Sequence, residues 1–375
     1  MTLSLRAVDL FCGAGGSSAG ARLAGAEIIA SIDSDPLAVA TFKDNFPKAK
    51  VVLGRLDESN GVQLLGDVGR VDLLLASPEC TNHSVARGAR AIDEASLRSG
   101  LHVLPFVRAW RPRFLVLENV SRIRRWEGWT TFLAALSAAG YYYSVLILDA
   151  QHFGVPQARR RMFLLASRVL KPPLEIPAST TVPLTVADVL DRSGAHPARS
   201  VYERDRPLAE ATMQRIKRGR AAVRGAQDFI IVYYGSDAAG GWQPLDRPLR
   251  TLTTLDRFGL VSGVGKKTTL RMLQVPELKR AMGFPEDFKL EKGSRRDRVR
   301  LLGNAVCPPV MKSVIEVLTR VAKANRAAQR VSRGPLARGH RDPGTQAPSS
   351  QESDTTSREI ARHHHTLSAS AIDAL

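Results

Sequence analysis

The alternation of apolar and polar positions along the first 170 residues predicts strands separated by helices. Each predicted strand is a short apolar run bounded by Gly, Pro or Asp, and a helix with proline in its first turn is predicted at residues 36–45. The predicted strands cover residues 7–11, 28–32, 71–76, 114–117, 142–148 and 161–166. This order is typical of an α/β fold with a doubly wound, mostly parallel sheet.

The pattern changes after residue 167. Residues 213–227 hold five basic side chains and no acidic one. Helical periodicity returns at 271–283 and 310–324, whereas the remaining residues are polar and poor in large apolar side chains. We therefore predict a large domain at 1–167, a smaller domain at 168–265, a segment that completes the large domain at 266–325, and a disordered tail at 326–375.

The charge balance indicates a polyanionic partner. The chain has 54 Lys and Arg against 36 Asp and Glu, a net charge of +18, and nucleic acid is the commonest partner of so basic a protein. A GC-rich genome would explain a preference for Arg over Lys, but not the excess of base over acid. The sequence shows no apolar run of about 18 residues and no signal-peptide layout, so we expect no membrane span and a cytoplasmic location.

The three cysteines, Cys12, Cys80 and Cys307, lie far apart in the sequence. A sparse, odd set of this kind predicts neither a disulfide framework nor a zinc site. It suits a reducing compartment, and we expect no metal centre.

A glycine-rich turn, Cys12-Gly-Ala-Gly-Gly16, follows the first predicted strand. Glycines there let a ligand approach the backbone at the start of a helix, although a plain tight turn would contain them too. Asp33 ends the second strand, where a carboxylate accepts hydrogen bonds from the ribose hydroxyls of an adenosyl ligand. Asp57 is a candidate contact to the adenine amino group, and a solvated loop acid is the alternative.

Cys80 follows the predicted strand at 71–76. That position lies at the sheet edge where open α/β folds bind ligands, and a thiolate there is a nucleophile. A lone Cys is otherwise a small buried hydrophobe. Glu118 favours the reactive role because it ends a very apolar strand, where burial raises a carboxyl pKa. Arg159 and Arg161, two residues apart, are expected on one face of a strand, where they suit an anion or a carbonyl oxygen; a solvated basic run is the alternative.

Taken together, these motifs resemble the DNA cytosine-5 methyltransferase family and occur in its order. The resemblance covers residues 1 to about 165 and 247–322, and nothing between them matches. The motifs are Asp9-Leu-Phe-x-Gly-x-Gly-Gly16, Pro-x-Cys80, Glu118-Asn119-Val120, Gln157-x-Arg159-x-Arg161, Arg247-Pro-Leu-Arg-Thr251, Gly283-Phe-Pro and Gly303-Asn304-Ala-Val306. The family usually has proline before the cysteine and glutamine after it, whereas this chain has Glu79 and Thr81.

The resemblance implies an S-adenosylmethionine-dependent methyltransferase fold with a smaller target-recognition domain. It implies that Cys80 adds to carbon 6 of a flipped-out cytosine and that Glu118 holds the N3 edge and supplies a proton. Arg161 would bind the O2 carbonyl, with Arg159 in support, and carbon 5 would take a methyl group from S-adenosylmethionine. The expected cofactor-binding residues are Phe11, Gly13, Gly15, Gly16, Asp33, Asp57, Pro78, Asn304 and Val306.

The implied partner is double-stranded DNA, bound by a monomer, with phosphate contact predicted at 213–227. A cognate restriction endonuclease stays open as a functional partner rather than a physical one. Two alternatives are a transfer-RNA cytosine-5 methyltransferase of the same fold and a DNA-binding protein without activity. The separate basic region favours DNA, and the intact Cys80, Glu118 and Arg161 favour an enzyme.

Overall fold

The computed structural model describes residues 4–57, 59–79, 98–179, 182–233 and 240–332. Eight strands are found in its first half: β1 (Arg6–Leu10), β2 (Glu27–Asp33), β3 (Lys50–Leu53), β4 (Leu73–Ala76), β5 (Phe114–Asn119), β6 (Tyr142–Asp149), β7 (Gln157–Ala158) and β8 (Arg160–Ser167). The helices described there are α1 (Gly16–Leu23), α2 (Pro36–Asn45), α3 (Gly61–Leu65), α4 (Leu104–Trp110) and α5 (Gly128–Ala138).

Seven of these strands form one sheet in the order β3-β2-β1-β4-β5-β8-β6. The pairs from β3 to β5 are parallel, and β8 runs antiparallel to both of its neighbours. The predicted α/β fold with a mostly parallel sheet is therefore confirmed. The predicted strands differ from those observed by two residues or fewer at each end, and β3 was not predicted.

The continuous apolar runs arise because both faces of the sheet are covered. In β4, Leu73 and Leu75 belong to one hydrophobic core, and Leu74 and Ala76 belong to another. Alternate residues of a strand point to opposite faces, so a strand with a core on each face has no polar alternation. All six residues of β5 are buried, including Glu118 near its carboxyl end.

The second half of the chain adds a five-stranded antiparallel sheet in the order β11-β10-β13-β14-β9. Its elements, with the small pairing strand β12, are β9 (Arg199–Ser200), β10 (Phe229–Val232), β11 (Trp242–Pro244), β12 (Leu249–Arg250), β13 (Phe258–Ser262), β14 (Thr269–Met272) and helix α6 (Glu210–Ala222). A β-carbon at Gly219 would lie 2.2 Å from the ring of Phe229, so the missing side chain lets α6 pack closely on β10. Ile216 and Phe229 are buried together in this smaller core.

The helix predicted at 271–283 is shorter in the structure. Helix α7 covers Val275–Ala281, whereas the residues before it form β14, so the smaller sheet extends past residue 265. The helix begins where it does because Gln274 and Glu277 form a capping box and a proline occupies the first turn. The division of the chain at residues 167 and 265 stays a prediction.

Two C-terminal helices complete the large sheet's core: α8 (Arg295–Asn304) and α9 (Pro308–Ser332). Residues 326–332 are therefore helical, contrary to the prediction of disorder from 326. They are mostly Ala, Arg, Gln and Val, three of which are good helix formers. The remainder of the predicted tail, 333–375, lies outside the described residues.

One stretch, Arg295–Ala324, is long and apolar enough to cross a membrane by composition, with a mean hydropathy of 1.3 over its best window. That window is 67% buried inside the protein, as is typical of a core helix. Val314 and Leu318 of α9 are almost completely buried against the large core.

Candidate active site

The glycine-rich turn adopts a backbone shape that depends on its glycines. Phe11, Gly13 and Gly15 all have positive φ, at 56°, 52° and 100°. Gly15 also packs against Phe46, so a side chain there would be strained and would clash. A β-carbon on Gly16 would lie 2.3 Å from the carbonyl oxygen of Val306, so this glycine lets the C-terminal motif approach the turn.

Asp33 holds the turn in place from the end of β2. The backbone N–H of Gly13 donates to Asp33 Oδ2 at 2.7 Å, and the N–H of Asp35 donates to Asp33 Oδ1 at 2.9 Å. Burial raises the pKa of Asp33, and the nearby carboxylates of Asp35 and Glu79 raise it further, against those hydrogen bonds. Asp33, the residue predicted to bind the ribose, therefore lies at the glycine turn and also stabilises its backbone.

The segment that precedes Cys80 is bound to the neighbouring strand β5. Pro78 is buried, and Asn119 Nδ2 donates to its carbonyl oxygen at 2.9 Å. Cys80 and Thr81 lie outside the described residues. The other two cysteines, Cys12 and Cys307, are buried free thiols.

Burial makes both of those thiols poor nucleophiles. It raises the pKa of Cys12 well above its usual value and the pKa of Cys307 to about 11. Because the thiolate is the reactive form, burial disfavours a nucleophilic role for either of them near neutral pH.

Glu118 and Arg161 form an ion pair at the carboxyl end of β5. Arg161 Nε lies 3.4 Å from Glu118 Oε1. Burial raises the pKa of Glu118, and the guanidinium groups of Arg161 and Arg159 partly oppose that shift. The net direction favours a carboxyl group that retains a proton at higher pH than usual, as the sequence predicted.

Arg159 makes different contacts from Arg161. It is 3% exposed, and its guanidinium donates to the carbonyl oxygens of Leu252 at 2.9 Å, Gly303 at 2.8 Å and Ala305 at 3.0 Å. These contacts tie the start of β8 to two segments far along the chain. These contacts are typical of a residue that positions its neighbours, and the catalytic role of Arg159 stays a prediction.

Gln157 reinforces the same connection. Its Oε1 accepts from the N–H of Leu252 at 2.9 Å, and its Nε2 donates to the carbonyl of Ala281 at 3.1 Å. Strand β7 pairs with β12, and Thr251 donates its hydroxyl to the carbonyl of Ala158 at 2.8 Å. The Gln-x-Arg-x-Arg motif thus joins the large sheet to the 249–253 segment.

These residues surround one cleft with a cavity volume of about 260 Å³. It is lined by most of the residues predicted from the sequence: Phe11, Gly13, Gly16, Asp33, Pro78, Glu118, Arg159, Arg161, Asn304 and Val306. Gly15 supports the turn from behind. The glycine turn and the Glu118–Arg161 pair therefore share a single site.

The family of C-5 cytosine-specific DNA methylases matches residues 5–320. The chain belongs to this family. It is 32% identical over 170 residues to the Type II methyltransferase M.AgeI of Thalassovita gelatinovora, a match that covers 44% of this chain and 39% of the relative. It is 26% identical over 323 residues to the Type II methyltransferase M.NgoPII of Neisseria gonorrhoeae, covering 80% and 92%.

The fold is also similar to that of solved methyltransferase structures. The solved structure of Entamoeba histolytica methyltransferase EhMeth superposes with a TM-score of 0.62 at 17% identity, covering 85% of this chain and 98% of that one. The match to M.AgeI spans less than half the length of that relative, whereas the match to M.NgoPII spans nearly all of it. Membership of the methylase family therefore rests on the family match across residues 5–320.

Asp57, which was predicted to contact the cofactor, is not among the residues that line the cleft. The Asp57 carboxylate accepts hydrogen bonds from the backbone N–H groups of Ser59 and Asn60, at 2.7 and 2.9 Å. It thus closes its own exposed turn, a common use of aspartate in loops. Arg55 and Leu56 instead line a small cavity that lies beside Asp33.

Arg300 of α8 was not predicted. It lines the cleft and pairs through Nη1 with Asp35 Oδ2. Asp35 also caps α2 by accepting from the N–H of Leu37 at 2.9 Å. The two residues are 265 positions apart, and the sequence carries no local signal for their contact.

A ligand fits the glycine turn. Gly13 lines the cleft, and a β-carbon there would meet no atom within 4 Å, so the backbone faces open space. Helix α1 begins at Gly16 without a side-chain cap, which leaves backbone N–H groups of its first turn for an anion such as a carboxylate. The acid at Asp33 and the helix start suit the two polar ends of an amino-acid nucleoside.

Proposed function

We propose that this chain is a DNA cytosine-5 methyltransferase that uses S-adenosylmethionine and Cys80. The observation that carries the proposal is the Glu118–Arg161 pair, which lines the same cleft as the glycine turn. Asn119, next to Glu118, holds Pro78 two residues before Cys80. An acid, a cation and a thiol are thus assigned to one edge of the sheet.

The glycine turn, Asp33 and the segment at Asn304 to Val306 would hold the cofactor. When bound, S-adenosylmethionine supplies the methyl group. Asp33 would accept hydrogen bonds from ribose hydroxyls, and the start of α1 would receive the carboxylate. Both roles match the open backbone at Gly13 and the uncapped helix start.

Glu118 and Arg161 would bind the Watson–Crick edge of the cytosine. Burial raises the pKa of Glu118, which favours its carboxyl group as the donor of a proton to N3 as the Cys80 thiolate forms a bond to carbon 6. Arg161 holds the O2 oxygen, where negative charge develops. Electron density then rises at carbon 5, which becomes the methyl acceptor.

Product release reverses the covalent step. The proton on carbon 5 leaves to a base, the sulfur–carbon 6 bond breaks with its electron pair returning to Cys80, the proton on N3 returns to Glu118, and the ring recovers its aromaticity. None of these atoms is accessible inside a duplex, so the base must rotate out of the helix. The positions of Glu118 and Arg161 within a cleft suit a single extruded base.

DNA would lie against the smaller sheet and α6. Lys217 and Arg224 are exposed, and their cations are available for phosphate. Other basic residues there contact the protein itself: Arg218 donates to the carbonyl of Gly240 at 3.0 Å, and Arg220 to that of Gly263 at 2.6 Å. The phosphate contact expected at 213–227 is therefore restricted to part of that basic run.

The experiment is a trap with DNA that carries 5-fluorocytosine at the target. Fluorine cannot leave as a proton, so the bond between Cys80 and carbon 6 persists. We expect wild-type protein to migrate with DNA on a denaturing gel when S-adenosylmethionine is present, and Cys80→Ser to bind DNA but to give no adduct, since a hydroxyl is much harder to ionise.

Cys12→Ser and Cys307→Ser are the matched controls, because both thiols are buried, and both should still give the adduct. Presenting RNA in parallel tests the transfer-RNA alternative. Adduct on RNA alone would contradict the proposal, and no methylation of either polymer would favour a DNA-binding protein without activity.

A further inference from the structure

Glu79 lies in the wall of the cofactor end of the cleft. It directly follows Pro78 at the end of β4, and it lines both the main cleft and the small cavity beside Asp33. Phe11, Asp33 and Ser34 line both cavities as well, so the two spaces share a wall. The related family usually has an uncharged proline at the Glu79 position.

Charge is distributed unevenly along the cleft. At the base end, Glu118 faces the two guanidinium groups of Arg159 and Arg161. At the cofactor end, the charge of Arg300 is matched by its ion pair with Asp35, and Arg55 lines the small cavity together with Asp33 and Glu79.

Asp33 and Glu79 add two further carboxylates at that end. Neither carboxylate forms an ion pair with any residue in the part of the chain that the structure describes. The charge of Glu79 reaches this end, because it contributes to the raised pKa of Asp33.

We infer that Glu79 makes the cleft prefer the cationic sulfonium of S-adenosylmethionine over the neutral thioether of S-adenosylhomocysteine, the product. The inference rests on the proposed function. The two molecules differ by one methyl group and one charge, and shape alone discriminates poorly at that level. A carboxylate stabilises the cation by Coulomb attraction and leaves the neutral thioether nearly unaffected.

The consequence is easier turnover. Transfer of the methyl group removes the positive charge, so the contribution of Glu79 to binding disappears in the same step. Product affinity then falls relative to substrate affinity, and inhibition by accumulated S-adenosylhomocysteine is reduced. Because Glu79 is exposed, water and salt screen this effect, and a modest size of about three- to tenfold is expected.

Calorimetric titration of the full-length protein with each of the two molecules tests the inference without relying on activity. We expect Glu79→Gln to weaken S-adenosylmethionine binding about three- to tenfold and to change S-adenosylhomocysteine binding less than twofold, with the difference shrinking at high salt. Glu79→Asp should retain most of the preference. Glu27→Gln, an exposed acid at the start of β2, is the charge-matched control and should change neither affinity.

Equal losses of affinity for both molecules would show a structural role for Glu79 and overturn the inference. No change in either affinity would overturn it as well. The proposed function fails separately: wild-type protein would then bind neither molecule, and the inference would fail with it. Wild-type binding of both molecules with an unaltered ratio in Glu79→Gln would leave the proposed function standing and remove only the role of Glu79.

Discussion

Charged side chains at the carboxyl edge of the seven-stranded sheet face a cavity, whereas most of those on α6 face the protein. In the cleft, Glu118 and Arg161 contact each other at 3.4 Å and line open space. On α6, Arg218 and Arg220 donate to the carbonyls of Gly240 and Gly263, in loops beside the strands of the smaller sheet. Residue type therefore predicts binding chemistry only for side chains that line open space, and not for those whose polar groups already bind the protein's own backbone.

The difference follows from how each region is built. Parallel strands end at a common edge, so polar residues just beyond them converge, whatever their distance in sequence. The smaller sheet is short-stranded, with many loop carbonyls that need donors, and long arginine side chains supply them. A basic run there stabilises loops before it binds any phosphate.

The largest effect is expected from Glu118→Gln. Glutamine keeps the size and hydrogen-bonding ability of the side chain but cannot deliver a proton. The methylation rate should fall about 10²–10⁴-fold, the usual range for loss of a general acid, with cofactor and DNA affinity nearly unchanged. Single-turnover kinetics would measure it, with exposed Glu127→Gln as the control. A loss below tenfold would assign Glu118 to structure.

Asp9, beneath the glycine turn, should make stability depend on pH. It is completely buried, its Oδ2 accepts from the Ser18 hydroxyl at 2.7 Å, and its Oδ1 has no hydrogen-bond partner among the described residues. Burial, with a smaller contribution from Asp33, raises its pKa from 3.8 to about 7. The folded protein therefore holds a proton on Asp9 that the unfolded chain releases above about pH 4.

The unfolding free energy should accordingly fall as pH rises from about 4 to 7, then level off. One pKa unit corresponds to ~1.36 kcal/mol, so the shift of Asp9 from 3.8 to about 7 contributes roughly 4 kcal/mol to that fall. Asp9→Asn, which is neutral throughout, should lack this component. Urea unfolding of both proteins from pH 4 to 8 isolates it, because all other groups are shared. Parallel curves would show that Asp9 is ionised in the folded state.

Much of the large sheet and its edge could be predicted from the sequence, because a buried strand and its final residue are both local signals. Glu118 and Asp33 were placed correctly at strand ends for that reason. The cofactor contact of Asp57 stays a prediction. The structure adds that its carboxylate accepts hydrogen bonds from Ser59 and Asn60 in a local turn, which the sequence did not indicate.

Contacts between distant segments could not be predicted. Arg159 binds carbonyls 93 to 146 positions away, and a carbonyl carries no sequence signature. The same reason hides the inward direction of Arg218 and Arg220. Composition predicted the basic region correctly but not which of its cations are available.

A smaller effect is expected on DNA affinity, and it sharpens the contrast within the basic run at 213–227. Lys217→Gln and Arg224→Gln should each reduce the slope of log affinity against log salt by about 1, because each removes one phosphate contact. Arg220→Gln should instead lower stability with little change in slope, since its guanidinium contacts Gln227 and Gly263. Fluorescence anisotropy across salt concentrations would show it. Equal slopes for all three variants would remove the distinction.

The smallest effect is expected from truncation after Asn325. Ala322 is buried, whereas Lys323 and Ala324 are exposed. The remaining residues are polar and cannot form a core of their own. Stability should change by less than about 0.5 kcal/mol, as for surface changes, and methylation by less than twofold. A second truncation after Glu316 removes Leu318, which is 1% exposed, and should unfold the protein. If the first truncation is as damaging as the second, the last turns of α9 or the segment beyond them contribute to the fold.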